Sequence, residues 1–219
     1  MLNRNRSAIF LSLFFCSGAT ALVYEVVWSK FLSQMFGSTI YAQTVVLAAF
    51  MGGLALGNKI FGRWADGLKF PIRAYGYLEI VIGIYAFAFP FLDRIADRIF
   101  INLGTGIVEQ TFLLAALKGV LAVALLLVPT VLMGGTLPLL AAWLQKCSGD
   151  AGRGSARFYS VNSLGAVTGA GLAGFWLVPT LGMIAALQLT DLVNVIIGAI
   201  AMILGQHGPE ASSSAAAEK

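Results

Sequence analysis

Residues 111–144 carry the stretch of sequence that decides the fold. They read TFLLAALKGVLAVALLLVPTVLMGGTLPLLAAWL, in which Lys118 is the one charged residue. As a single straight helix the stretch would be about 50 Å long, whereas the hydrocarbon core of a bilayer is about 30 Å thick. Pro129 and the glycine pair at 134–135 offer places to bend or break it. The stretch therefore predicts a membrane-spanning region, either one bent helix or two shorter segments.

The rest of the chain also has the composition of a membrane protein. Of its 219 residues, 58% are hydrophobic and 11% are charged, and the mean hydropathy is +0.85. A soluble domain carries about 25% charged residues, so a soluble enzyme is excluded. Apolar runs of membrane-spanning length occur at residues 7–28, 40–61, 74–92, 111–144, 158–179 and 183–204. We therefore predict an all-α integral membrane protein with six transmembrane helices.

Two segments differ from these runs. Residues 93–100 alternate charged and apolar side chains, which favours a short amphipathic helix lying at the membrane interface. Residues 208–219 are small and polar, which predicts a disordered tail. The domain prediction is a six-helix transmembrane domain over residues 1–207 followed by that tail.

The distribution of lysine and arginine predicts the orientation. If both termini are cytoplasmic, ten of the 14 basic residues fall on the inner side, three fall on the outer side, and Lys118 lies within a span. This bias is a strong positive-inside signal. It also explains the net charge of +4 through loop residues, so no nucleic-acid partner is expected.

Three ionisable residues lie inside predicted spans, namely Glu25, Glu79 and Lys118. Each costs about 2.5–3.5 kcal/mol at the centre of a membrane helix, so such side chains normally face the bundle interior and pair. We expect Glu25 and Glu79 to meet between the first and third helices, with Lys118 neutralising one of them. The set indicates either a cation-binding or proton-relay site, or a buried structural ion pair.

Other polar side chains within the spans are candidates to assist at that site. Tyr24, Tyr77 and Asn162 are expected to contribute to substrate binding. Asp191 and Asn194 lie one turn apart in the sixth predicted span and are weaker candidates, because Asp191 is close to the predicted outer interface.

Small residues at a spacing of four recur in two spans. Gly53 and Gly57 form one such pair, and Gly165 and Gly169 form another. These patterns let helix backbones approach closely where no hydrophobic effect holds the helices together. They favour packing within the chain, with contact between copies as the alternative.

The loop after the second span contains a more specific pattern. Residues 62–73 read GRWADGLKFPIR, which resembles the cytoplasmic loop of major-facilitator transporters. The resemblance implies a conformational latch formed by Gly62, Arg63, Asp66 and Arg73, in which the carboxylate pairs with the arginines. The alternative is a basic loop that only marks the cytoplasmic side.

Several strings together resemble the membrane portion of bacterial spermidine-synthase-like proteins, the fused major-facilitator/spermidine synthase family. They are SGA at residues 17–19, LVYEVVW at 22–28, PTVLMGGTLPLL at 129–140 and YSVNSLGA at 159–166. The resemblance implies a fold like half of a major-facilitator transporter in the bacterial cytoplasmic membrane. Family members usually continue into a soluble aminopropyltransferase-like domain, and we expect this chain to lack it.

The functional expectation is a non-catalytic membrane protein without a cofactor or metal. A transporter-like half-bundle would bind or translocate a small cation such as a polyamine. Because half a transporter lacks the second bundle needed for alternating access, it would associate with itself or with another chain. The alternatives are an accessory subunit of a larger membrane complex, or an anchor for a separately encoded synthase-like enzyme. The expected partners are the lipid bilayer and other membrane subunits.

Overall fold

The computed structural model describes residues 4–36, 40–107, 110–148 and 151–205, which are helical apart from short connections. The predicted tail at 208–219 lies outside these residues. The helices are α1 (Arg4–Phe36), α2 (Ile40–Ala65), α3 (Pro71–Gly104), α4 (Thr111–Ser148), α5 (Ala151–Leu172) and α6 (Val178–Leu204). A π-helical turn, Ala173–Leu177, joins α5 directly to α6.

The helices have the length and composition of membrane-spanning segments. Five stretches of the described residues are long and apolar enough to cross a bilayer, namely Ala8–Gln34, Gln43–Ala65, Pro71–Gly104, Thr111–Lys146 and Ala156–Leu204. Their outer surface is apolar, since large side chains such as Phe112 (83%) and Phe175 (90%) are exposed. An all-helical architecture is therefore confirmed, with five segments among the described residues that are long and apolar enough to cross a membrane.

The segment at residues 93–100 is not a separate interfacial helix. It forms the last turns of α3, which continues through Pro90 without a break and ends at Gly104. Within this segment the acidic Asp93 is buried, whereas the apolar Ile95 and Ile99 are exposed. The charged and apolar side chains therefore do not separate onto an exposed and a buried face.

The long apolar stretch is one helix, α4, with Pro129 and Pro138 in its interior. Proline has no N–H, so Pro129 leaves the carbonyl of Leu125 without its helical donor. The hydroxyl of Tyr85, from α3, donates to that carbonyl at 2.8 Å. A neighbouring helix therefore supplies the bond that the proline removes, as occurs inside membrane bundles.

Close contact through glycine joins α2 to α4. The backbone of Gly53 lies against Thr130, and Gly57 lies against Gly134, where a Cβ atom on either glycine would overlap its neighbour. Residue numbers rise together along the two helices, so α2 and α4 run parallel. These two glycines pack within the chain.

The second glycine pair joins α1 to α5 in the same way. Gly165 packs on the backbone of Phe15, and Gly169 packs on that of Ala19. These two helices are also parallel. The four glycines singled out in the sequence therefore all lie at helix contacts inside one chain.

Helix α3 is parallel to α1 and antiparallel to α6. The rings of Phe14 and Tyr75 are 5.9 Å apart, and those of Trp28 and Phe89 are 5.0 Å apart, so α1 and α3 ascend together. In contrast, Gly76 meets Gly198 whereas Gly83 meets the earlier residue Asp191. Helices α5 and α6 consequently run in opposite directions.

The reversal between α5 and α6 coincides with Gly182. This residue has φ +79° and ψ 167°, a conformation outside the helical region that only glycine adopts readily. The apolar segment Ala156–Leu204 is therefore interrupted at this position.

Candidate functional site

Buried polar side chains from several helices converge on a cavity of about 110 Å³ inside the bundle. Each of the helices α1 to α6 contributes to its lining. The volume corresponds to about three or four water molecules. Its polar lining residues are Ser17, Thr20, Tyr24, Glu79, Thr136, Asn162 and Asn194.

Glu79, on α3, is the acidic group of this cavity. Its side chain is only 2% exposed. The Ser17 hydroxyl of α1 donates a hydrogen bond of 2.5 Å to Glu79 Oε1. This bond connects two helices directly at the wall of the cavity and holds the carboxyl group in one orientation.

Asn194, on α6, forms hydrogen bonds with the two helices that carry Glu79 and Ser17. Its Nδ2 donates to the backbone carbonyl of Glu79 at 2.7 Å, and its Oδ1 lies 2.7 Å from the Thr20 hydroxyl, which can donate to it. A single amide therefore connects α6 to both α1 and α3. Such a network of buried polar groups makes the position of each member specific.

A second acidic group lies next to the first. The Tyr24 hydroxyl is a near neighbour of the Asp191 carboxylate and interacts with it electrostatically. Neither Tyr24 Oη nor either carboxylate oxygen of Asp191 completes a hydrogen bond among the described residues. Both side chains are buried, at 0% and 4% exposure. The two side chains thus interact chiefly with each other, and only Tyr24 belongs to the lining of the cavity.

The positive charges are elsewhere. Every lysine and arginine whose side chain is described is exposed, except Lys118, which is half-buried. A buried carboxylate normally has a cation beside it or carries a proton, because an isolated charge is strongly disfavoured in an apolar medium. The arrangement can therefore accept a cation or a proton at Glu79.

Lys118 is not the partner of Glu79, one of the two glutamates that it was expected to neutralise. Its ammonium lies 4.9 Å from the centre of the Phe100 ring. Phe100 is 21 residues beyond Glu79 in the same helix, which places it about 31 Å away along the axis.

Glu25 lies apart from Glu79 as well. It follows Ser17, the partner of Glu79, by eight residues of α1, a rise of about 12 Å. Glu25 is half-buried, and its Oε2 has no hydrogen-bond partner among the described residues. The two glutamates were expected to meet because both lie in apolar spans, but they occupy different levels of the bundle.

Of the assisting residues, Tyr24 and Asn162 do line the cavity, whereas Tyr77 is 62% exposed on the outer surface. Sequence reasoning missed the roles of Ser17 and Thr20. Their hydroxyls lie one turn apart in an apolar span, and that spacing is the signal that could have identified them. The weaker candidates Asp191 and Asn194 are both buried beside the site.

The loop at residues 62–73 does not form the predicted pairing of a carboxylate with arginines. Arg63, Asp66 and Arg73 are exposed, and none of them forms an ion pair with another described residue. Instead, the Lys146 ammonium at the end of α4 donates to the carbonyl of Leu68 at 2.5 Å. The loop is thus tied to the bundle by a lysine that the pattern did not include. A latch role for residues 62–73 stays a prediction.

The chain is similar to polyamine aminopropyltransferases. The polyamine aminopropyltransferase of Mycobacterium tuberculosis (strain CDC 1551 / Oshkosh) is 28% identical over 215 residues, covering 91% of this chain and 36% of the relative. Polyamine aminopropyltransferases 1 and 2 of Streptomyces coelicolor are 23% and 28% identical, and each match covers 34% of the relative. The chain therefore spans about a third of the length of these relatives. Neither a family model nor a solved structure matches it.

These comparisons contradict the expectation of a non-catalytic protein. The relatives that match nine-tenths of the chain carry the name of an enzyme. The expectation rested on the lack of a recognisable catalytic motif in this sequence, and the match covers only about a third of each relative.

Proposed function

We propose that this chain is the membrane-embedded portion of a protein related to polyamine aminopropyltransferases, and that its central cavity binds a small organic cation of the polyamine type. The observation that carries the binding proposal is the buried Glu79 carboxyl group, which borders a largely apolar cavity and has no described lysine or arginine beside it. The names of the relatives supply the chemical class of the cation.

In this proposal the chain crosses the cytoplasmic membrane six times, with both termini inside. The directions of the helices support it, because α1, α3 and α5 run parallel to one another and α6 runs in the opposite direction. The segment Ala156–Leu204 has 49 residues, about twice the length that one crossing needs. Two crossings that meet at Gly182 account for that length. The distribution of lysine and arginine supports the orientation.

Binding of an ammonium group is the chemistry that the site favours. An ammonium brings a positive charge and three N–H donors, whereas the Glu79 carboxylate offers acceptors and uses one of them for Ser17. Charge-assisted hydrogen bonds of this kind are stronger than neutral ones. Alternating access would additionally require a second bundle, so we propose that two copies, or this chain and another membrane subunit, associate.

The test uses the protein purified in lipid nanodiscs. Binding of radiolabelled spermidine is compared between the wild type, Glu79→Gln and Glu25→Gln. The two variants make the same chemical change inside one helix bundle, but only Glu79 lines the cavity. We expect Glu79→Gln to weaken binding at least about tenfold, the value of one charge-assisted hydrogen bond. Glu25→Gln should bind like the wild type. Equal binding by all three proteins would refute the cavity as the binding site.

Anchoring is the second candidate function, and the partial match favours it, since the chain aligns with one third of enzymes that are much longer. An anchor needs the apolar outer surface but not the cavity. If Glu79→Gln bound the amine as the wild type does, the cavity would have no role in binding and anchoring would be the remaining function.

A further inference from the structure

Residues 59–73, here called the basic connection, lie where α2 ends and α3 begins, and they carry an excess of positive charge. Their basic side chains are all exposed, namely Lys59, Arg63, Lys69 and Arg73. Asp66 is the one acidic residue in this stretch. None of these five residues forms an ion pair within the ranges that the structure describes. No described carboxylate therefore neutralises the charge of the basic connection.

Two of these positive charges lie around one aromatic ring. The Lys69 ammonium is 5.4 Å from the centre of the Phe70 ring, and the guanidinium carbon of Arg73 is 5.7 Å from it. Like charges that are held near each other repel, and an anion bound beside them offsets that repulsion. Phosphate suits these groups, because guanidinium and ammonium both form charge-assisted hydrogen bonds with its oxygens.

The basic connection is held by helices other than the two that it joins. Lys146, in the last turn of α4, donates to the carbonyl of Leu68 and adds its own exposed charge. The stem of Arg73 lies close to the end of α6, since a Cβ at Gly205 would come 2.9 Å from Arg73 Cγ. The basic side chains are thus displayed on a surface to which α2, α3, α4 and α6 contribute.

The exposed surface of α2 changes from apolar to basic towards this connection. Leu56, Lys59 and Arg63 are three and four residues apart, so they form one stripe on the helix. Leu56 is 42% exposed, and the neighbouring indole of Trp64 is 68% exposed. Tryptophan is enriched where a membrane meets water. A phospholipid matches this surface better than free phosphate does, because its acyl chains contact apolar side chains while its phosphate contacts the cations.

We infer that the basic connection binds the headgroup of an anionic phospholipid, whose acyl chains lie along the stripe of α2 that contains Leu56. Arg63 and Arg73 are the main phosphate donors, because a guanidinium contacts two phosphate oxygens at once. Lys59 and Lys69 add positive charge around them. Clusters of lysine and arginine beside membrane helices bind anionic headgroups in this way. The inference goes beyond the proposed function and takes from it only the location in the membrane.

The test measures lipid binding by native mass spectrometry. The purified protein is delipidated in detergent and titrated with phosphatidylglycerol or phosphatidylcholine that have identical acyl chains. We expect the wild type to bind phosphatidylglycerol at least about tenfold more tightly, the effect of two or more basic residues at a headgroup. The double variant Arg63→Gln/Arg73→Gln should reduce this preference to less than about twofold.

The matched control is Arg94→Gln/Arg98→Gln, which removes two exposed arginines near the other end of α3. It should keep the preference of the wild type. An equal preference in the two double variants would overturn the inference. If Arg63→Gln/Arg73→Gln is not monodisperse, Lys59→Gln/Lys69→Gln takes its place, and an unchanged preference in that variant would also overturn it.

Competition separates the lipid from free phosphate. Sodium phosphate and sodium chloride at equal ionic strength should displace phosphatidylglycerol equally, because both only screen the charges. Stronger displacement by phosphate would assign the surface to the free ion and overturn the lipid.

Spermidine binding by the same proteins separates this inference from the proposed function. Arg63→Gln/Arg73→Gln should bind spermidine like the wild type, since neither residue lines the cavity. A wild type without a lipid preference, whose spermidine binding still depends on Glu79, would refute this inference alone. A lipid preference that depends on the arginines, with spermidine binding that does not depend on Glu79, would support this inference and refute only the cation site.

Discussion

The surroundings of Glu79 and Glu25 differ although both residues lie in apolar helices. Glu79 is 2% exposed, accepts a hydrogen bond from another helix and borders a cavity. Glu25 is half-buried, and its Oε2 has no hydrogen-bond partner among the described residues. The contrast shows that a carboxylate in an apolar helix becomes part of a polar site where neighbouring helices place hydrogen-bonding groups at the same level.

The largest expected effect on stability comes from the close contact between α1 and α5. Gly165→Leu would force the new side chain into the backbone of Phe15 and push α5 away from α1, near Ser17. Overpacking of this kind typically costs about 1–3 kcal/mol and occasionally more, so we expect a loss of about 3 kcal/mol in the free energy of unfolding. Thermal unfolding in detergent measures it.

Gly171→Leu is the matched control for that variant. Gly171 lies on the same helix, and a Cβ there would meet nothing within 4 Å. Its stability should equal that of the wild type. An equal loss in both variants would mean that leucine disturbs α5 irrespective of the contact with α1.

The next largest effect concerns the hydrogen bond that defines the Glu79 site. Ser17→Ala removes the hydroxyl that donates to Glu79 Oε1 and leaves that acceptor buried. Hydrogen bonds to a charged group contribute about 1.5–3 kcal/mol, so we expect a loss of about 2 kcal/mol. Ser33→Ala, on the same helix, removes only an exposed bond to the Lys30 carbonyl and should cost much less. The comparison fails if the two variants unfold at the same denaturant concentration.

The smallest effect should come from the hydrogen bond that Tyr85 donates to α4 next to Pro129. Tyr85→Phe removes the donor to the Leu125 carbonyl, which Pro129 leaves free. A neutral hydrogen bond contributes about 1 kcal/mol, and the loss should be of that size. Tyr77→Phe is the control, since Tyr77 is 62% exposed on the same helix. A smaller loss in Tyr85→Phe than in Tyr77→Phe would show that water or lipid satisfies the carbonyl instead.

The sequence alone was sufficient to predict an all-helical protein with long apolar segments, and to predict the positions of most helices. Apolar runs of about 20 residues predict membrane helices because the unpaired backbone groups of any other open structure would be too costly in lipid. The glycines at 53, 57, 165 and 169 were predictable as contact positions for a similar local reason. The separate interfacial helix at residues 93–100 was wrong, because α3 continues through this segment and ends at Gly104.

The candidate site depended on tertiary structure. Glu79 was identifiable as a charged residue in a span, but its partners Ser17 and Asn194 are 62 and 115 positions away in the chain. The pairing with Lys118 failed because the sequence contains no information on depth: both residues lie in spans, yet they are about 31 Å apart along the bundle. Local sequence patterns determine which segments enter the membrane. Which side chains meet there depends on helix directions and on close glycine contacts, which only the packed bundle decides.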